Sequence, residues 1–241
     1  MGARGVTTQE LTITDRTIDL ASTSLRDLNQ ALHRLAPDTN QRYWRVLNPR
    51  GGHALAVGLD APVKVEIDGH VGYYCAGMNK LATVIVNGNA GVGVAENMMS
   101  GFVHIRGDAS QAAGATAHGG MLVIDGNASA RCGISMKGVD IVVKGSIGHM
   151  SAFMGQAGTL TVLGDAGEAL GDSLYEARLF VRGSVASLGA DCVEKEMRDG
   201  HRAELAARLE AAGLAGTVDV AEFRRYGSAR QLYNFHIDNV Y

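Results

Sequence analysis

Residues 122–133, LVIDGNASARCG, return nineteen residues later as 141–152, IVVKGSIGHMSA, and again as 160–171, LTVLGDAGEALG. The three segments share few identities but one phase. Gly126, Gly145 and Gly164 hold the same place in each, and Gly69, Gly88, Gly107 and Gly183 extend the series at the same interval. A fixed period over this many copies signals a repeat architecture, which takes priority over any single motif.

The columns around the glycine define the unit. Two places before it stand Ile67, Val86, Ile105, Ile124, Val143, Val162 and Val181; four places before it stand Val65, Val84, Val103, Leu122, Ile141, Leu160 and Leu179. Both columns are wholly aliphatic. The residue just before the glycine is mostly polar, as in Asp68, Asn87, Arg106, Asp125, Lys144 and Arg182. This alternation is the period-two pattern of a strand buried on one face. The glycine is expected to end the strand and admit a turn that a side chain would resist. A polar residue follows it in every copy: His70, Asn89, Asp108, Asn127, Ser146, Asp165 and Ser184. Three and seven places after it the residues are small, with Gly167 and Gly171 the fullest case.

A strand that recurs at a constant interval can pair with its own copies, about 4.8 Å apart. The expected fold is therefore all-β: a parallel β-solenoid of about seven 19-residue coils over residues 63–190, with the aliphatic columns inside. Pro37, Pro49 and Pro62 all precede the array, as continuous strand pairing requires.

Residues 1–62 read as an N-terminal cap. Within it, Leu11–Thr14 resembles a strand, and Leu25, Leu28, Leu32 and Leu35 mark a helix over Ser24–Leu35. Tyr43–Leu47 and His53–Val57 read as short strands. Residues 191–241 read as a helical tail: Glu194–Gly200, then His201–Ala212 stopped by Gly213, then a helix passing into an extended end over Val220–Phe235. Aromatics are scarce, yet Phe223, Tyr226, Tyr233 and Phe235 gather here beside arginines. Such a cluster serves either as a cap on the last coil or as a partner interface.

Chemistry is hard to find. Net charge is −3 with both signs scattered, which argues against a nucleic-acid partner. No run of apolar residues is long enough for a membrane span, and the start of the chain has no secretory pattern. Cys75 and Cys132 lie three periods apart, about 14 Å in a solenoid, beyond disulfide reach. With Cys192 they suggest a reducing compartment. No nucleophile elbow, phosphate loop, zinc motif or calcium loop is present. The eight histidines share no repeat column, so no metal ligand set is expected. Asp172 and Asp191 would stack on adjacent coils as a paired-carboxylate candidate, although an exposed end of the rod accounts for them more simply.

The pattern Gly-x-x-Gly-x-x-x-Gly, complete at Gly164, Gly167 and Gly171, resembles the GXGXG domain. That domain is the C-terminal β-helix of the glutamate synthase large subunit, and the likeness covers nearly the whole chain. With its Tyr226–Tyr233 tail, YGSARQLY, the chain is most similar to the free-standing β-helix subunit of N-methylglutamate synthase, or methylamine–glutamate N-methyltransferase. The resemblance implies a right-handed, single-stranded helix in the cytoplasm, with no catalytic residue, cofactor or metal of its own. It implies a hetero-oligomer with a glutamine-amidotransferase-like subunit and a synthase subunit carrying FMN and an iron–sulfur cluster. The β-helix subunit of formylmethanofuran dehydrogenase, or that of the formyltransferase/hydrolase complex, is a second scaffold reading. A self-sufficient polysaccharide-active β-helix enzyme is a reading of another class.

Overall fold

The structure, a computed structural model, describes residues 15–230. Nine parallel strands follow one another in sequence and in space: β1 (Asp15–Asp19), β2 (Tyr43–Leu47), β3 (Lys64–Asp68), β4 (Thr83–Val86), β5 (Phe102–Ile105), β6 (Met121–Ile124), β7 (Lys137–Val143), β8 (Ala157–Val162) and β9 (Arg178–Val181). From β3 onward the heart of each strand pairs with residues nineteen positions on, as in Val65↔Val84, Val84↔Val103 and Leu122↔Ile141. Every member of the two aliphatic columns is 0% exposed. The sequence period is the coil, and the fold is a parallel β-solenoid.

Two further ladders close each coil. One is a line of single-residue bridges, Val71–Ala90–Ala109–Ala128–Ile147–Ala166–Val185, two places after the glycine. The other runs along the third side, where every second residue has positive φ, as at Tyr74 (60°), Ala76 (54°) and Met78 (54°). Left-handed backbone costs a side-chain-bearing residue roughly 1–2 kcal/mol. Pairing between coils holds it there: Tyr74 N–H donates to Val92 O at 2.8 Å in one direction, and Ala76 N–H to Leu55 O at 2.9 Å in the other. The small column seven places after the glycine lies on this side. A Cβ on Gly114 would sit 2.7 Å from Ile141 Cδ1.

The repeating glycine has a different task from the expected turn. Of the seven, only Gly69 has positive φ, at 133°. The others are needed because consecutive coils touch there. Gly145 N–H donates to Gly126 O at 2.9 Å, and a Cβ on Gly145 would come within 2.7 Å of that oxygen. The polar residue that follows completes the contact. Asn89 Oδ1 accepts from Asp108 N, Asp108 Oδ1 from Asn127 N, Asn127 Oδ1 from Ser146 N, and Ser146 Oγ from Asp165 N, at 2.7–3.0 Å. Each coil thus satisfies a backbone donor of the next.

The sheet starts before the glycine series. β1 and β2 join it in parallel, with register steps of Asp15↔Tyr43 and Tyr43↔Lys64. Between them, α1 (Leu25–His33) begins on Ser24, whose Oγ accepts from Asp27 N at 3.1 Å, and buries Leu28 and Leu32 over the open coil. The expected strand over His53–Val57 is instead a turn with Ala54 and Ala56 at positive φ, held by Asn29, whose side chain bonds Ala54 O and Ala56 N. The Leu11–Thr14 strand lies outside the described residues.

The C-terminal region departs from the expected helix–helix tail. Residues 194–200 are not helical at their start: β10 (Cys192–Lys195) pairs antiparallel with β11 (Arg224–Ser228), and β11 pairs antiparallel with β9. α2 (Asp199–Ala211) crosses the outer face of the sheet. Leu205 and Leu209 pack with Phe180 and Phe223, while Ala212 and Leu214 cover Met121, Val123 and Val142. Arg178 grips Glu204 through two bonds of 2.8 and 2.7 Å, and Arg208 lies 2.8 Å from Asp140.

Candidate functional site

Three kinds of site were readable in the sequence, and the structure disposes of them differently. The paired carboxylates are already occupied. Asp172 accepts from Ser173 Oγ and from Ala190 N at 2.8 and 3.2 Å, and Asp191 is ion-paired with Arg230, whose Nε lies 2.6 Å away. The arrangement closes the last coil and presents no open acid–base pair.

The thiols are inert. Cys75 and Cys132 are buried within the coil, and burial pushes each up to about 12. Cys192 is pushed up to about 11, again by burial. A protonated thiol is a poor nucleophile. Among the described residues no group of three or more His, Cys, Asp or Glu is placed to hold a metal ion.

The aromatic cluster divides. Phe223 and Tyr226 are 4% and 2% exposed. Phe223 packs with Phe180, Leu205 and Leu209, and Tyr226 enters the main core opposite Leu179. These two complete the end of the solenoid and offer no free surface. Tyr233 and Phe235 lie outside the described residues. The structural glycines, including Gly167 and Gly171, stand at coil contacts: a Cβ on Gly167 would lie 2.9 Å from the backbone of Gly148, and one on Gly171 2.8 Å from Cys192 Sγ.

Two polar networks lie on the outer face of the sheet. In the first, Tyr43 Oη and Asn87 Nδ2 donate to the two oxygens of Glu66 at 3.0 Å each, Asn87 also donates to Asp68 at 2.7 Å, and Arg45 pairs with Asp68 at 2.6 Å. In the second, His104 and Lys144 converge on Asp125 Oδ1 at 2.9 and 2.6 Å. Burial raises the Asp125 carboxyl, but the bonds from Lys144 and His104 outweigh it and leave it below its ordinary value. Glu66 and Asp68 are likewise lowered, each chiefly by Asn87. A shallow apolar groove of about 270 Å³ runs between α1 and the next coils, lined by Leu32, Leu35, Val57, Ala61 and Met78. Leu81 and Met99 are exposed further along the same coils.

These shifts fix a pH dependence. The lowered carboxylates favour the folded state above their unfolded pKa, and that contribution is lost as pH falls through their folded pKa. His201 acts earlier. Its Nδ1 accepts from Arg198 N at 3.2 Å, a role open only to neutral imidazole. Burial and then the charge of Arg225 lower its pKa from 6.5. Stability is expected to be flat between pH about 6.5 and 8, to decline slightly just below that range, and to fall more steeply below pH about 4.5. Urea midpoints from pH 8 to 3 would show this, and Asp125→Asn should flatten the lower stage. Unchanged midpoints down to pH about 3 would contradict it.

No helix among the described residues is long and apolar enough to cross a membrane. The chain matches no family model. It is 67% identical over 223 residues to "Protein GlxC" of Rhizobium meliloti (strain 1021), covering 92% of this chain and 97% of that one. No solved structure matches.

Proposed function

The chain belongs to the family of Protein GlxC, and on that premise we propose that it is a structural subunit of a multi-subunit, glutamate-synthase-like enzyme. The observation that carries this reading is the rod itself. Continuous ladders on three sides hold each coil at a fixed height, while the reactive side chains read from the sequence are buried or already bonded. Such a body suits the spacing of other subunits better than it suits turnover. The glycine pattern at Gly164, Gly167 and Gly171 points to the glutamate synthase β-helix, and the finer reading is N-methylglutamate synthase, which makes N-methylglutamate from glutamate and methylamine with release of ammonia. The partners would be an amidotransferase-like chain and a synthase chain carrying FMN and an iron–sulfur cluster, in the cytoplasm.

Affinity purification of the full chain from its own cells is the test. Two further chains should accompany it, with flavin absorbance and iron in the assembly. The chain purified alone should carry neither. Stoichiometric FMN on the isolated chain, or turnover by it, would overturn the reading.

The tail gives a sharper expectation. Because Phe223 and Tyr226 already close the core, removal of residues 231–241 should leave the melting temperature within about 2 °C of the full chain. Loss of Tyr233 and Phe235 should nevertheless abolish recovery of the partner chains, as expected for aromatic anchors at an interface. Full assembly by the shortened chain would sink the assignment of these two residues.

A further inference from the structure

At the C-terminal end of the rod, strands β10 and β11 bring two cations face to face. Lys195 pairs in register with Arg225, so their side chains leave the sheet on the same side, next to Phe180. Like charges directly opposite each other weaken a sheet, and no ion pair of Lys195 occurs among the described residues to relieve this one. Gly227, two residues beyond Arg225 on the same strand, has no side chain, and the two cations lie over it: the position its Cβ would take is 3.5 Å from Lys195 Cγ and 3.8 Å from Arg225 Nη1.

More positive charge surrounds the pair. Arg225 Nε donates to Glu196 O at 3.0 Å, and Arg198 Nε lies 2.9 Å from Glu196 Oε2 with its side chain 72% exposed. Arg178 comes from β9, bound to Glu204. His201 of α2 sits beside Arg198. Four cations from four segments therefore face two carboxylates, Glu196 and Glu204. The crowding is felt by Arg225, whose pKa is lowered first by burial and then by the charges of Arg198 and Arg178. The patch lies at the margin of the sheet, where β10 is the last strand. An undercompensated cationic patch beside a sheet edge, with no enclosed pocket, suits a chain segment better than a small molecule.

We propose that the face formed by Lys195, Arg225, Arg198 and Arg178 docks an acidic segment of a partner protein, with a carboxylate set against the facing pair Lys195 and Arg225. The guanidinium groups supply paired donors for carboxylate oxygens, and the added negative charge removes the repulsion between Lys195 and Arg225. The site stands whether or not the partner belongs to the enzyme proposed above, because it is defined by charge and register alone.

The test uses the full chain and a fluorescein-labelled hexaglutamate peptide as probe, followed by anisotropy, with hexaglutamine as control. Saturable binding of hexaglutamate is expected, absent for hexaglutamine, and weakened about tenfold between roughly 50 and 200 mM salt. Lys195→Gln and Arg225→Gln should each weaken it about fivefold or more. Lys195→Gln removes the repulsion from Arg225 and breaks no ion pair among the described residues, so its melting temperature should hold or rise, which separates lost binding from lost folding. Binding by both variants as tight as that of the unaltered chain, or no saturable binding by the unaltered chain, would overturn the proposal. So would displacement of the peptide by an equal concentration of inorganic phosphate, which would make this a small-anion site.

Discussion

Val143→Asp should leave the protein unable to fold stably. Val143 lies in β7 between Ile124 and Val162, and all three are fully buried on the inner face of the coil. Its neighbours on that face are aliphatic columns, so the new carboxylate would find no hydrogen-bond donor of its own. Backbone donors there are committed to the ladders above and below. Burying an unpaired charge costs several kcal/mol, on the order of the 5–15 kcal/mol that holds a domain together. Val143→Ala removes two methyl groups without adding charge and should cost about 1–3 kcal/mol, leaving a folded protein with a lower midpoint. Circular dichroism and urea denaturation of the pair would decide the matter. A soluble Val143→Asp protein with an unaltered melting temperature would contradict the inward placement of the whole column.

Gly145→Val should come close to it in effect, for a different reason. The Gly145 backbone carries no left-handed strain, so a conformational argument would predict a tolerable change. The obstacle is contact between coils: the new Cβ would meet Gly126 O at 2.7 Å and the Asn127 side-chain oxygen. Neither can yield cheaply. The Gly126 oxygen is fixed by the 2.9 Å bond from Gly145 N, and Asn127 Oδ1 by the 2.9 Å bond from Ser146 N. Pushing the coils apart would break both bonds and loosen the bridge at Ala128 and Ile147. A loss of roughly 3 kcal/mol or more is expected. Gly200→Ala is the matched control. Gly200 lies in the first turn of α2 with nothing within 4 Å of its added Cβ, and the change should stabilise by about 0.5–1 kcal/mol. Equal thermal shifts for the two variants would remove the coil-contact explanation.

The sequence was clearest where one physical demand recurred in every copy. Burial of the columns that contain Val143 and Ile141 leaves an aliphatic record in all seven coils, so the strands, their register and the solenoid could be read directly. The third side left no such record. Tyr74, Ala76 and Met78 adopt left-handed backbone through pairing with neighbouring coils, and nothing in their side chains announces it. His53–Val57 failed for the same reason: an alternating apolar stretch was read as a strand, whereas Asn29 and the adjacent coil bend it into a turn. β10 was obscured because Cys192–Lys195 is short and charged and gains its partner only when Arg224–Ser228 returns from a distance.

One signal for the C-terminal arrangement was present but needed three dimensions to interpret. On the outer face of the sheet, His104 gives way to Val123, Val142, the buried Thr161 and Phe180 toward the C-terminal coils. That change marks where α2 lies. Phe223 and Tyr226 belong to this covering layer and to the core beneath it, so their aromatic character reflects closure of the rod. The cationic patch shows the opposite limit. Lys195 and Arg225 stand far apart in the sequence and become a like-charged pair only through strand register.

The chain of side-chain acceptors from Asn89 to Ser146 also sets how such a molecule can change length. Each acceptor serves a donor one full coil ahead, so the rod is counted in units rather than measured continuously. Excision of one whole unit, such as residues 108–126, would reconnect equivalent positions and shorten the rod by about 4.8 Å while the ladders stay in phase. Excision of a single residue from the same stretch would put three ladders out of phase at once. Spacing between surfaces on this body is therefore adjustable in discrete steps, each one coil high.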